Sequence, residues 1–182
     1  MDATEVVAPT TAMSATATTN ARARRILLGV IGAVAVAAVL LWLAAGVVSS
    51  GEAASHAQLH AVSALAMLGI GGAIVARWGR AGLIAFAPAI GFTLFATAQV
   101  VEGLGALGYA PDNETPESGL ADLHDVGLAL TGPVLVALFA GIAISLGLVV
   151  ARRTARRWAG VAVGFAIFVP GLLLVKISVG GL

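Results

Sequence analysis

Five long hydrophobic stretches, separated by short polar segments, dominate the pattern of the chain. The first is uncharged over 23 residues and rises about 35 Å as a helix, enough to cross a hydrocarbon core of about 30 Å. We therefore predict an all-α, polytopic membrane helix bundle with five transmembrane helices. Their predicted ranges are 26–48, 57–76, 81–104, 123–150 and 158–179.

Composition supports the membrane class. The chain is 59% hydrophobic and 10% charged, whereas soluble domains are about 45–50% apolar and about 25% charged. The absence of cysteine excludes disulfides, thiolate metal sites and a cysteine nucleophile. Residues 1–25 are rich in Ala and Thr and end in basic residues, which favours a disordered cytoplasmic tail.

The basic residues predict the orientation. Of the ten Lys and Arg residues, all except Lys176 are arginines that precede the first span or lie between spans two and three or four and five. Those segments share one side of the membrane, and arginine-rich short loops stay cytoplasmic. We expect a cytoplasmic amino-terminus, an outer carboxy-terminus and, from the Ala/Gly/Arg bias, a bacterial cytoplasmic (inner) membrane.

Polar residues gather at the opposite, outer ends of spans two, three and four. His56 and His60 are four residues apart and share a helical face. An ionisable group inside a span costs about 2.5–3.5 kcal/mol on insertion scales, and it usually faces protein or water. The predicted cluster also contains Gln99, Glu102, His124 and Asp125.

Spans two and four begin alike, with Leu59-His60-Ala61-Val62 and Leu123-His124-Asp125-Val126. A histidine at matching places in two hairpins resembles membrane b-type cytochromes with two histidine ligands, and one half of the haem A synthase family. The resemblance implies haem b, with His60 and His124 as cofactor-binding axial ligands.

The same residues leave other functions open. A metal site of His56 and His60, completed by Glu102, His124 or Asp125, suits zinc, copper, iron or nickel. A non-enzymatic membrane subunit or scaffold without a cofactor, and a small transporter, are the remaining hypotheses. We expect the lipid bilayer as a partner and no nucleic acid. Association with another membrane protein, or in a homo-oligomer, is left open.

Two further patterns make structural predictions. His60 lies 17 residues from Arg77, or about 26 Å along a helix, whereas His124 lies 28 residues from Arg152, or about 42 Å. If both arginines mark one interface, His124 lies well above His60, unless a kink at Pro133, a tilted fourth helix or a cytoplasmic extension of that helix closes the gap.

Gly160 and Gly164 form a GxxxG motif, for which packing within the chain is favoured over dimerisation.

Overall fold

The structure is a computed structural model that describes the backbone of residues 10–180 and the side chains of 18–79 and 81–177. In this part of the chain all regular elements are helical, and five helices are long and apolar enough to cross a membrane. The predicted five-helix, all-α membrane bundle is confirmed. The helices are α1 (Thr10–Val48), α2 (Gly51–Trp78), α3 (Leu83–Ala106), α4 (Asp122–Thr154) and α5 (Arg157–Gly180).

Helices α1 and α2 begin well before their predicted starts. Helix α1 starts at Thr10, so the prediction of disorder is wrong for residues 10–25, while residues 1–9 lie outside the described part. Alanine is the best helix former, and extending a helix that the apolar span has already nucleated is easier than starting one. Helix α2 starts at Gly51, which places His56 inside the helix.

Successive helices pack antiparallel, and α3 lies between α2 and α4. We call the end of the bundle that carries Glu102 and His124 the histidine end. The opposite end, which carries Arg77 and Arg152, is the arginine end. Much of the buried interior is alanine and glycine, so the helix backbones approach closely, as is usual in membrane bundles.

Helices α3 and α4 keep one register along their whole contact. Contacts join Pro88 to Gly141, Gly91 to Leu138, Glu102 to Gly127 and Gly105 to His124, so each step forward on α3 matches an equal step back on α4. The contact positions are 3, 11 and 3 residues apart on each helix, so they lie along one face of each. The level of His124 in the bundle is therefore set by its partners on α3.

A hydrogen bond at the arginine end fixes the same register. Pro88 lacks an N–H group, so the carbonyl of Ile84, four residues earlier, loses its helical partner. The Ser145 hydroxyl of α4 donates to this carbonyl over 2.6 Å. A side chain from a neighbouring helix commonly satisfies a carbonyl that proline frees inside a membrane.

The GxxxG motif of α5 packs within the chain. A Cβ atom on Gly160 would clash with the carbonyl oxygen of Gly147, and one on Gly164 would lie 3.6 Å from the carbonyl oxygen of Ala143. These small residues bring the backbones of α4 and α5 together. The prediction of intramolecular packing is confirmed for this motif.

Candidate metal centre

Three helices bring four metal-ligating side chains together at the histidine end. His56 and His60 come from α2, Glu102 from α3 and His124 from α4, and one ligand atom from each lies within 4.8 Å of all the others. Glu102 Oε1 is 3.6 Å from His60 Nε2 and 4.0 Å from His124 Nε2. The single carboxylate therefore lies between imidazoles from two different helices.

The imidazole rings also contact one another. The ring centroid of His56 is 4.7 Å from that of His60, at an interplanar angle of 32°. It is 5.4 Å from the ring of His124, in an edge-to-face arrangement at 75°. His56 thus spans the space between α2 and α4, whose ligands converge although α3 separates their backbones.

Glycines at three positions make this convergence possible. The backbone of Gly105 lies against that of His124, and a Cβ on Gly127 would lie 2.6 Å from the backbone nitrogen of Glu102. A Cβ on Gly103 would lie 2.9 Å from the Cβ of His60. Because real Cβ contacts essentially never fall below 3.0 Å, any larger residue pushes the helices apart at the cluster.

Gln99, one helical turn before Glu102, holds two members of the cluster. Its Oε1 lies 3.0 Å from His60 Nδ1, and its Nε2 lies 3.4 Å from Glu102 Oε2. An amide oxygen only accepts, so the Nδ1 atom of His60 is the protonated one in this arrangement. The Nε2 atom of His60 then carries a free lone pair.

That Nε2 atom is buried and has no hydrogen-bond partner. It faces Glu102 Oε1 at 3.6 Å, which exceeds the range of about 2.7–3.2 Å for an N–H···O hydrogen bond. His60 and Glu102 are each 8% exposed. Two buried acceptor atoms therefore face each other with no donor between them.

The loop between α3 and α4 covers the cluster. Its Asn113 side chain hydrogen-bonds to His56 Nδ1 at 2.8 Å, and the ring of Tyr109 meets that of His124 edge-on with centroids 5.7 Å apart. The carbonyl of Pro111 accepts a hydrogen bond from the backbone of Glu52, which docks the loop on the start of α2.

The fold of this loop depends on Asp112. The Asp112 carboxylate accepts hydrogen bonds from the backbone amides of Glu114 and Thr115 at 3.0 and 3.3 Å. Because these bonds favour the ionised form, they hold the pKa of Asp112 below its usual value. The turn also places Asn113 in the left-handed region, with φ of 59°, where Asn is tolerated better than most residues.

The predicted site residues have different positions. His56, His60, Glu102 and His124 meet, and Gln99 hydrogen-bonds within their cluster. Asp125, one of the residues proposed to complete a metal site, is exposed and outside the group. Asn113 and Tyr109 were not predicted, because a loop residue carries no helical period that would show which way it faces.

His60 and His124 lie at a similar depth, so the difference expected if both arginines marked one interface is absent. Both Nε2 atoms reach the same oxygen of Glu102. Helix α4 is long because it continues past the start of α3: Ser145 is level with Ile84, and Arg152 lies about 10 Å further along the helix. The extra length of α4 therefore lies at the arginine end.

Comparisons of the chain with family models, with curated proteins and with solved structures return no match. The class of protein rests on the fold and the site themselves. The chain is a multi-pass membrane protein with a buried cluster of histidine and glutamate at one end of its bundle.

Proposed function

We propose that this membrane protein binds one divalent transition-metal ion, with zinc favoured, through His56, His60, Glu102 and His124. The observation that carries the proposal is the buried Nε2 atom of His60, which has no hydrogen-bond partner and faces the Glu102 carboxylate. A cation between the two atoms satisfies both, and the imidazoles of His56 and His124 lie within reach of the same ion.

The dimensions of the cluster support this assignment. Zinc binds imidazole nitrogen at about 2.0–2.1 Å, so neighbouring ligands of a tetrahedral ion are about 3.3–3.4 Å apart. The Glu102 oxygen lies 3.6 and 4.0 Å from two of its partners, and all four ligand atoms lie within 4.8 Å. Small side-chain movements are enough to bring the four ligand atoms to the distances of a tetrahedral site.

The neighbouring residues also suit a metal. Histidine ligands commonly use their second ring nitrogen in a hydrogen bond that fixes the tautomer and orients the ring. Gln99 makes such a bond to His60, and Asn113 makes one to His56 once its amide is oriented with the oxygen toward Nδ1. Nε2 is then the ligand atom of both histidines.

The number of ligands bears on what the ion does. Catalytic zinc sites commonly keep three protein ligands and an open position for water, whereas structural sites use four. Four converging side chains therefore favour a protein that holds a metal ion, or accepts and passes it on, over one that hydrolyses a substrate. The bound ion also ties α2, α3 and α4 together at the histidine end.

Haem b stays a prediction with less support. The space between His60 and His124 contains the Glu102 carboxylate, and the ring of His56 packs against both imidazoles. A porphyrin with these two axial ligands requires that space. Protein purified from haem-replete cells distinguishes the two cofactors, because bound haem gives a Soret absorption band and zinc gives none.

The arginine-rich connections also indicate which side of the membrane the histidine end faces. Arginine-rich connections stay cytoplasmic, so the cluster lies on the outer side of a cytoplasmic membrane and takes its ion from there. The chain has no cysteine, which allows single-cysteine labelling without background. We expect an impermeant maleimide to label Ser118→Cys, but not Thr154→Cys, in intact cells; the reverse pattern contradicts this orientation.

A zinc titration of purified protein tests the site directly. After treatment with a chelator, the protein in detergent is titrated with zinc against a chromophoric competitor, and we expect one ion per chain. Glu102→Gln keeps the size of the side chain but removes its charge, and His124→Gln removes an imidazole. Each is expected to weaken zinc binding by at least about tenfold, since even outer-shell changes cost about 10–100-fold.

Asp125→Asn is the matched control, because Asp125 is exposed and adjacent to His124 in sequence but outside the cluster. Its zinc affinity is expected to equal that of the parent. If Glu102→Gln and His124→Gln bind zinc as tightly as the parent and Asp125→Asn do, the proposed site is contradicted. Absence of zinc binding in the parent, together with stable co-purification of another membrane protein, favours the scaffold hypothesis instead.

A further inference from the structure

A long apolar groove runs between α4 and α5 at the arginine end, far from the histidine cluster. It has a volume of about 710 Å³. Small residues and larger apolar side chains from both helices line it. It is lined by Ala140, Ala143, Ile144, Gly147, Leu148, Ala151, Gly160, Val161, Gly164, Phe165 and Phe168, with Arg152 and Arg157 at one end.

The length of the groove matches one leaflet of a bilayer. From Arg157 to Phe168 the helix rises about 16 Å, and half of a hydrocarbon core of about 30 Å is about 15 Å. The two arginines lie at the α4–α5 turn, where the arginine end meets the membrane surface. The groove thus has the dimensions of an acyl chain that extends from the headgroup level to the bilayer centre.

Charge at the arginine end selects the headgroup. The described carboxylates of the chain lie at or near the histidine end, and no ion pair to Arg152 or Arg157 is found among the described residues. A phosphate between Arg152 and Arg157 accepts charge-assisted hydrogen bonds from both guanidinium groups, whose planar shape suits phosphate. Basic pockets between transmembrane helices are known to bind anionic lipid headgroups.

We propose that the α4–α5 groove is a binding site for one anionic glycerophospholipid. Its phosphate lies between Arg152 and Arg157, and one of its acyl chains fills the groove as far as Phe168. The lipid covers the small residues on this side of the α4–α5 crossing. This site is independent of the proposed metal centre, which lies at the other end of the bundle.

Native mass spectrometry of delipidated protein in detergent tests the proposal. We compare phosphatidylglycerol with phosphatidylcholine that carries the same acyl chains. We expect one phosphatidylglycerol per chain, bound at least about tenfold more tightly, since each basic residue near a surface contributes a factor of about five. Equal binding of the two lipids overturns the proposal, as does a protein dimer that excludes lipid from the groove.

Two pairs of arginines provide a matched comparison. The double variant Arg152→Gln/Arg157→Gln removes the charges that line the groove, whereas Arg153→Gln/Arg156→Gln removes the same charge from the same segment outside it. We expect the preference for phosphatidylglycerol to disappear only in the first. An equal loss in both indicates general surface electrostatics and overturns the site.

A groove-filling variant tests the acyl-chain part separately. A Cβ on Gly164 makes only an ordinary contact, 3.6 Å from the carbonyl oxygen of Ala143, so Gly164→Leu places its side chain in the groove. The control is Gly29→Leu on α1, where a Cβ meets nothing within 4 Å. We expect weaker lipid binding only in Gly164→Leu; unchanged binding there contradicts occupation of the groove.

Discussion

A single added methyl group at Gly127 tests how far the α3–α4 crossing controls the metal centre. A Cβ at this position would lie 2.6 Å from both the backbone nitrogen and the Cβ of Glu102, whereas ordinary contacts begin at 3.4 Å. In a close-packed interface the two helices must then separate locally by about 0.8 Å. Because Glu102 and its partner His124 lie on opposite sides of this crossing, the separation reaches the cluster directly.

The effect on metal binding follows from the distances. Glu102 Oε1 is 4.0 Å from His124 Nε2, and a separation of about 0.8 Å takes it to about 4.8 Å. A tetrahedral zinc ion holds its ligands about 3.3–3.4 Å apart, so the movement needed for binding roughly doubles. We expect Gly127→Ala to weaken zinc binding about 10–100-fold, or about 1.4–2.8 kcal/mol.

Competition titration with a chromophoric chelator measures this change, and thermal unfolding of the metal-free protein accompanies it. The control is Gly69→Ala on α2, where an added Cβ meets nothing within 4 Å. It makes the same chemical change in a helix of the site, and zinc affinity is expected to stay at the parental value. If Gly127→Ala binds zinc as tightly as the parent, close approach of α3 and α4 does not set the geometry of the site, and our reasoning is refuted.

Three further predictions concern the surroundings of the site and the bundle. Ser145→Ala leaves the Ile84 carbonyl without its donor, and we expect a loss of about 0.6–1.7 kcal/mol in unfolding free energy, measured by denaturation in micelles. Asn113→Ala removes the hydrogen bond to His56 and is expected to weaken zinc binding about tenfold in the same titration, with unchanged helix content by circular dichroism. Because its pKa is lowered, the Asp112 carboxylate stabilises the loop fully above the ordinary carboxyl pKa, and this stabilisation is lost as the pH falls through the lowered value. Hydrogen exchange of the loop amides should speed up over that pH range, and Asp112→Asn should abolish this pH dependence.

The sequence by itself determined the class of the protein. Transfer of an apolar segment into lipid depends on the composition of that segment alone, so a run such as 26–48 reports its own environment. The positions of the polar residues relative to the ends of these runs placed every histidine at one end of the bundle and the arginines at the other. It also indicated the ligand candidates, because ionisable residues are rare inside spans.

The boundaries of helices were less certain from the sequence, for a physical reason. Hydropathy marks the apolar part of a segment, but a helix continues beyond it wherever its residues permit. Hydropathy also does not show which residues of two helices lie at one level: α4 extends past the start of α3 at the arginine end, and this offset made His124 look too high. Counting residues from an arginine therefore gave the wrong depth.

Only the tertiary structure decided which polar groups meet. Whether His60, Glu102 and His124 converge depends on the rotation and register of three helices, and these are set by distant contacts at small residues such as Gly105 and Gly127. The sequence places His124 and Asp125 side by side, yet the fold turns one into the cluster and leaves the other exposed. Hydrophobicity is a property of each segment, whereas a site is a property of the packing between segments, and it exists only once the helices have docked.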